Sequence, residues 1–134
     1  MTSATTPGHA KGHVRSTAEA FSQHRFRETY DHLASDIVWV AVGAASTTGR
    51  EEVIAACEGT LAELADTSTD FVRFLSVADT QTAVVDSVGR YTDAGGGTST
   101  VASCDIYEFR DGLITQITSY TVEIDTPTDE LQTK

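Results

Sequence analysis

The sequence is short of basic residues, cysteine and long apolar runs, and each shortage excludes a class of protein. Its 134 residues contain 9 Lys and Arg against 20 Asp and Glu, which gives a formal net charge of −11. Such a chain lacks the basic patch that binds nucleic acid or an anionic membrane surface. It has no apolar run near the roughly 20 residues of a transmembrane helix and no basic-then-apolar signal peptide at its N-terminus. We therefore predict a cytoplasmic protein with no nucleic-acid and no membrane partner.

Cysteine and histidine residues are few and poorly spaced for metal binding. Cys57 and Cys104 fall in a predicted helix and a predicted strand, and we expect both to be reduced thiols. Inside the predicted elements, no histidine stands at a zinc-ligand spacing from Cys or another His, and His9 and His13 fall in a Gly-containing N-terminal segment. The sequence also has no phosphate loop and no dinucleotide-binding motif. The prediction is no metal and no cofactor.

The strongest structural signal is a hairpin with an Asp111-Gly112 turn. Runs of β-branched and aromatic residues flank it at 103–109 and 113–124, and Asp-Gly favours such turns because Gly supplies positive φ without steric cost. Alternation places four residues of the first run on one face of its strand: Ser103, Asp105, Tyr107 and Phe109. A carboxylate on an apolar face is paired, protonated or functional, so Asp105 is the leading candidate for a functional residue.

The rest of the chain predicts one α+β domain, with a flexible tail at 1–13, the folded domain at 14–125 and a second flexible tail at 126–134. The predicted elements before the hairpin are helices from Ser16 or Thr17 to about Arg25 and at 26–33, a strand at 36–43, a helix from Arg50 to about Leu64, and strands at 69–78 and 82–92. Helices followed by antiparallel strands are typical of an α+β layer. A long twisted sheet of this kind can wrap around helices and enclose a space.

This order of elements resembles the nuclear transport factor 2-like superfamily, and most closely its SnoaL-like and ketosteroid-isomerase-like branches. Two motifs carry the resemblance: Gly49-Arg50-Glu51 opening the third helix, and Tyr107-x-Phe109-x-Asp111-Gly112-x-Ile114 closing the sheet. The resemblance implies a cone-shaped fold, in which a curved antiparallel sheet wraps around N-terminal helices and encloses a pocket. It also implies a homodimer through the outer face of the sheet. The superfamily includes isomerases, epoxide hydrolases, polyketide cyclases, dehydratases and members that only bind or scaffold.

The catalytic residues of ketosteroid isomerases are only partly present. Alignment on the two motifs places Asp105 at the family's oxyanion-binding Asp, a carboxylic acid that an apolar site keeps protonated. The family's general base falls at Val40, which cannot take a proton. Its oxyanion tyrosine falls near Thr17, and the supporting tyrosines fall at His32 and Cys57. The resemblance therefore argues against a steroid isomerase of the standard kind.

The epoxide-hydrolase pattern is also incomplete. It requires an Arg two residues before an Asp on one strand and a second Asp on the last strand. Asp86 fits the first Asp, but Val84 stands at the Arg position and Ser119 at the last Asp. Arg90 lies four residues along the same face as Asp86. These two residues either line the cavity or stand on the outer face as a solvated pair, and the second alternative is favoured.

The candidate site is built around Asp105. This residue is either an acid/base group with a raised pKa or a structural carboxyl bonded to its neighbours. Tyr107 and His32 are the other catalytic candidates, although a lone histidine is more often structural. The candidate ligand contacts are spread over the predicted helices and strands: Tyr30, Val40, Ile54, Cys57, Asp86, Arg90, Ser103 and Ser119. Trp39 has the opposite parity to Val40, so the alignment points its ring away from the cavity.

Two functions follow from this set. The first is a cofactor-independent enzyme (an isomerase, cyclase, dehydratase or hydrolase) that uses Asp105 for acid/base chemistry on a small, largely apolar organic molecule. The second is a noncatalytic ligand-binding or dimerisation module in which Asp105 is structural. The missing base at Val40 favours the second function, and the polar residues around Asp105 favour the first, which is the leading hypothesis.

Overall fold

The strands form one six-stranded sheet, and the helices pack against its inner face. The computed structural model describes residues 7–124. Within this range the elements are α1 (Pro7–Ser22), a 3₁₀ helix (Phe26–His32), β1 (Leu33–Ala41), β2 (Ser46–Thr48), α2 (Arg50–Glu63), β3 (Ser68–Ala78), β4 (Thr82–Thr92), β5 (Thr98–Arg110) and β6 (Leu113–Ile124). The strand order is β2-β1-β6-β5-β4-β3. Every neighbouring pair is antiparallel except β1 and β6, which run parallel.

The hydrophobic core lies between α1, α2 and the inner face of the sheet. Val14, Ala18 and Phe21 form the buried stripe of α1, at the spacings of four and three that place side chains on one face of a helix. This face contacts β3, β4 and β5, while α2 packs on β1 and β2. The sheet supplies fully buried side chains at Tyr107 and Ile117, among others. Across residues 7–124, no helix is long and apolar enough to span a bilayer.

The first helix begins earlier than the sequence predicted. It starts at Pro7 rather than at Ser16 or Thr17, so residues 7–13, assigned to a flexible tail, are helical. Proline suits the first helical position because the N–H that it lacks has no partner there. Further along the helix, His13 Nε2 donates to the carbonyl oxygen of Gly112 at 2.9 Å and ties α1 to the β5–β6 turn. The remaining tail residues, 1–6 and 126–134, lie outside the described range.

The Asp111-Gly112 turn has the geometry that the sequence predicted. Both residues have positive φ, at 54° and 79°, as a two-residue hairpin turn of this type requires. The strands then pair along β5 and β6 with one irregularity, between Glu108 and Phe109. This register sets Asp105 directly opposite Ser119, so the turn fixes the position of the candidate functional carboxyl.

Two glycines give a matched test of this fold. A Cβ on Gly59 in α2 would meet nothing within 4 Å, so Gly59→Ala should raise the free energy of unfolding by about 1 kcal/mol through better helix propensity. Gly112 has a φ of +79°, so Gly112→Ala should lower the free energy of unfolding by about 1 kcal/mol. Urea denaturation of both variants against the wild type measures the two shifts. Shifts of the same sign would contradict the assigned geometry.

Candidate functional site

A cleft of about 350 Å³ opens on the inner face of the sheet, beside the C-terminal end of α1. This volume falls within the usual range of ligand pockets. Five aromatic side chains contribute to its walls: Phe21, Phe26, Trp39, Phe71 and Tyr91. Small polar residues, among them Ser87, Ser103 and Thr121, line much of the remainder. No Lys or Arg lines the cleft in the part of the chain that is described.

The carboxyl group of Asp105 lies in this cleft and is bonded to hydroxyl groups. Ser22 Oγ donates to Asp105 Oδ2 at 2.8 Å, and the same Oγ lies 2.6 Å from the hydroxyl of the fully buried Tyr107. A second hydrogen bond to the carboxyl comes from Ser119, whose Oγ accepts from Trp39 Nε1 at 3.0 Å. Asp105 is therefore the meeting point of two hydrogen-bond chains.

Burial controls the protonation of Asp105. Removal from water raises the pKa of its carboxyl, and the hydrogen bonds from Ser119, Ser22 and Tyr107 offset only part of this effect. Burial also raises the pKa of Tyr107, which keeps its hydroxyl protonated. The carboxyl consequently has an increased tendency to hold a proton, which is the property required of a general acid or of a donor to a ligand oxygen.

His24 and Tyr91 form a second polar pair in the same cleft. The Tyr91 hydroxyl lies 3.3 Å from His24 Nε2, and burial lowers the pKa of the His24 imidazole. Sequence reasoning missed both residues as site candidates. The alternation of β4 was a usable signal for Tyr91, because it placed this residue on the face opposite Asp86. His24 had no such signal, since it lies in the turn after α1.

Three of the predicted site residues line the cleft together: Ser103, Asp105 and Ser119. Tyr107 hydrogen-bonds to the Asp105 carboxyl and also contacts Ser22 Oγ. Along β6, Ser119 and Thr121 face the cleft and Tyr120 is 48% exposed on the other side. The structure thus brings three of the predicted residues together in one cleft, while the roles of these residues stay predictions.

Trp39 corrects the orientation predicted for β1. Its ring lines the cleft, whereas Val40 points to the outer face. The prediction came from alignment on the two sequence motifs. Because side chains alternate with a period of two, an offset of one residue in that alignment reverses the faces of a strand. Val40 is thus not among the residues that line the cleft, and the residues of β1 on either side of it, Trp39 and Ala41, are.

The predicted site residues on helices also lie away from the cleft. His32 packs against His13, with ring centroids 4.8 Å apart. The following residue, Leu33, pairs with Ile114 next to the β5–β6 turn, which places His32 at that end of the sheet. The hydroxyl of Tyr30 donates to a carboxylate of α2, Glu58 Oε2, at 2.7 Å. Two predicted contacts on α2 pack with the hydrophobic core instead: Ile54 and Cys57.

Asp86 and Arg90 lie on the outer face of the sheet, the alternative that the sequence favoured, and so are not among the ligand contacts that line the cleft. Asp86 Oδ2 forms an ion pair with Arg73 of the neighbouring strand at 3.0 Å. Arg90 has the same parity along β4 as Asp86, while Ser87 and Tyr91, of the opposite parity, line the cleft. Among residues 7–124, no three His, Cys, Asp or Glu side chains are grouped to hold a metal ion.

The curved sheet and the helices on its inner face define a cone-shaped protein of the NTF2-like class. The SnoaL-like domain family matches residues 14–117, and the chain belongs to this family. A comparison with curated proteins finds no match.

Solved structures share the fold. The chain is similar to an NTF2-like protein of unknown function from Cytophaga hutchinsonii, at 28% identity and a TM-score of 0.74, over 84% of this chain and 99% of that chain. A proposed polyketide cyclase from Xanthomonas campestris is 19% identical, with a TM-score of 0.65 over 91% of this chain and 93% of its own. An LEH-like epoxide hydrolase from M. tuberculosis is 18% identical, with a TM-score of 0.61 over 84% of each chain. These likenesses confirm the predicted cone-shaped fold.

Replacing Asp105 by Asn tests the buried carboxyl. A carboxyl whose pKa rises on folding contributes stability that is complete below its ordinary pKa of about 4 and is lost as the pH rises through the raised pKa. Because the pKa of Asp105 is raised, the free energy of unfolding of the wild type should fall relative to that of Asp105→Asn as the pH increases from about 4. Urea denaturation at a series of pH values measures this difference.

The matched control for the loss of one negative charge is Asp86→Asn, on the outer face of the neighbouring strand. Parallel stability curves for the wild type and Asp105→Asn across the whole pH range would contradict the raised pKa.

Proposed function

We propose that the protein is a cofactor-independent enzyme that transfers protons on a small, largely apolar organic molecule, with Asp105 as the acid/base group. One observation carries the proposal. The Asp105 carboxyl lies half-buried in a ligand-sized cleft, and its hydrogen bonds come from uncharged hydroxyl groups. Membership of the SnoaL-like family supports an enzyme-like function on small molecules, as do the printed names of a proposed polyketide cyclase and an epoxide hydrolase among the similar structures.

The arrangement supports reactions that pass through an enol. A protonated Asp105 would donate to a carbonyl oxygen of the ligand and stabilise the negative charge that develops when a neighbouring C–H group loses its proton. The aromatic walls would contact the apolar body of the ligand. Isomerisation and cyclisation are reactions of this class. Epoxide hydrolysis by an Asp–Arg pair is less well supported, since Asp86 and Arg73 form their ion pair on the outer face.

The alternative function is noncatalytic binding of a small molecule in the same cleft. The observation that favours it is the identity of the cleft-facing residues on β1. Trp39 and Ala41 line the cleft there, and neither side chain can act as a base. In this alternative, Asp105 would bind a ligand oxygen without transferring a proton.

Exchange of protons into deuterated water separates the two functions. The protein would be incubated in D₂O with a panel of small cyclic and aromatic ketones, and NMR would follow the exchange of the protons next to the carbonyl group. We expect the wild type to accelerate exchange for at least one ketone and Asp105→Asn to lose about 100-fold of that acceleration, the usual contribution of acid/base catalysis. Undiminished exchange in Asp105→Asn would remove Asp105 from the reaction.

The control variant for this assay is Asp86→Asn, which lies outside the cleft and should exchange at the wild-type rate. Trp39, the single tryptophan of the chain, reports binding in the same samples. A change in its fluorescence with a ketone that shows no exchange would favour the noncatalytic alternative.

We also propose a homodimer through the outer face of the sheet. Four large apolar side chains of that face are exposed: Leu75, Val77, Tyr120 and Val122. Burying such a group of side chains against a second copy would remove apolar surface from water.

The test is the molar mass in solution at micromolar concentration, measured by light scattering. The wild type should have the mass of two chains, and Val77→Glu, which places a charge in the patch, should shift the mass toward one chain. A monomeric mass for the wild type would contradict the dimer.

A further inference from the structure

The backbone at His24 is held in a conformation that favours glycine. Its φ is +65°, in the left-handed region that a side chain makes costly. Two hydrogen bonds that end α1 impose it. The N–H of His24 donates to the carbonyl oxygen of Phe21 at 3.1 Å, and the N–H of Arg25 donates to that of Ala20 at 2.8 Å. This pair of bonds is the Schellman motif, in which glycine is the usual residue. Histidine at this position therefore needs a reason other than helix termination.

The side chain of His24 provides that reason, because the turn directs it into the cleft. Its ring packs among three aromatic rings, with centroid distances of 5.6 Å to Phe26, 5.9 Å to Phe71 and 5.8 Å to Tyr91. One of its nitrogens, Nε2, lies 3.3 Å from the Tyr91 hydroxyl. The imidazole is thus oriented by packing and by one hydrogen bond, and it lines the same cleft as Asp105.

Tyr91 extends from β4 toward Asp105, and Gly89 makes this possible. A Cβ on Gly89 would lie 3.2 Å from Tyr91 Cε1 and 3.4 Å from its hydroxyl oxygen, so the tyrosine ring folds back over this glycine. That direction leads along β4 toward Val85, the residue paired with Asp105. The carboxyl is close enough to contribute, after burial, to the raised pKa of Tyr91. The Tyr91 hydroxyl therefore contacts His24 and lies within electrostatic range of Asp105 in the same cleft.

We propose that Tyr91 and His24 form a proton relay that completes the catalytic site around Asp105. This inference rests on the proposed function and adds the group that takes up the substrate proton. In the step, a C–H bond next to the substrate carbonyl breaks, and its proton moves to the Tyr91 oxygen. At the same time the Tyr91 hydroxyl proton moves to Nε2 of His24, which becomes an imidazolium. Asp105 donates its own proton to the carbonyl oxygen, so that an enol forms and the charges balance between imidazolium and carboxylate.

The protonation states of the resting cleft fit this role. The titratable side chains that line it, as far as the chain is described, are Asp105, His24 and Tyr91. Burial lowers the pKa of His24, which leaves its imidazole neutral in the resting cleft. Burial raises the pKa of Tyr91, so its hydroxyl is protonated and able to donate. The relay thus starts from neutral groups, and the missing base on β1 does not prevent proton removal.

The decisive variant is His24→Gly, because it removes the imidazole while suiting the backbone. Glycine removes the backbone strain at this position, which offsets part of the packing lost with the ring, so the variant should remain folded in a thermal unfolding measurement. The rate of ketone proton exchange should fall by about 100-fold, and added imidazole, which fits the space left by the ring, should restore part of it. Rescue by imidazole is a readout that a purely structural histidine would not give.

Two further variants keep the test independent of that single substitution. His24→Asn tolerates the left-handed backbone but cannot accept the proton, so it should be as slow as His24→Gly. Tyr91→Phe keeps the ring packing and removes the hydroxyl, so it should be equally slow and should not respond to imidazole.

The outcomes separate this inference from the function on which it rests. If the wild type exchanges ketone protons, Asp105→Asn does not, and all three variants keep the wild-type rate, the relay is overturned while Asp105 remains the acid. Loss of activity without imidazole rescue in His24→Gly would also overturn the relay and leave His24 a packing residue. If the wild type exchanges no ketone on the panel, the proposed function and the relay are overturned together.

Discussion

The site depends on holding one half-buried carboxyl group with hydroxyl partners and without a counter-ion. Asp105 is bonded to Ser22 from the end of α1 and to Ser119 from β6, with Tyr107 behind Ser22. Each contact comes from a different part of the chain, so the helix must dock on the sheet and the last hairpin must be in register before the carboxyl is satisfied. An unsatisfied buried carboxyl is costly, and this cost links the fold to the site.

Hydroxyl partners suit a group that changes its protonation state. A serine or tyrosine hydroxyl can donate to a carboxylate or rotate and accept from a carboxylic acid, whereas a lysine or arginine would favour the ionised form alone. Trp39 and Tyr107 stand at the far ends of the two hydrogen-bond chains and fix the serines in place. The cleft can therefore hold Asp105 in both states with little rearrangement, which is what proton transfer in either direction requires.

The sequence predicted the fold and the position of Asp105 because a tight turn sets the register of a hairpin and alternation then sets its faces. It reversed the face of Trp39, because that face was taken from alignment on motifs outside β1, and an offset of one residue is enough to exchange the two faces of a strand. The cleft-facing position of His24 could not be predicted from the sequence for a different reason. Its direction is set by the hydrogen bonds that end α1 and by rings from distant strands, and a turn carries no periodicity from which such a direction follows.

The position of β6 in the sheet has a consequence for how the protein is made. This strand lies between β1 and β5, so the middle of the sheet comes from the segment that leaves the ribosome after all the other described strands. Until residues 113–124 have emerged, β1 and β2 on one side and β3, β4 and β5 on the other have no strand to join them, and the Asp105 carboxyl has no Ser119. Long-range pairing of this kind slows folding. Completion of the sheet, and of the site on it, therefore waits for translation to pass the final hairpin.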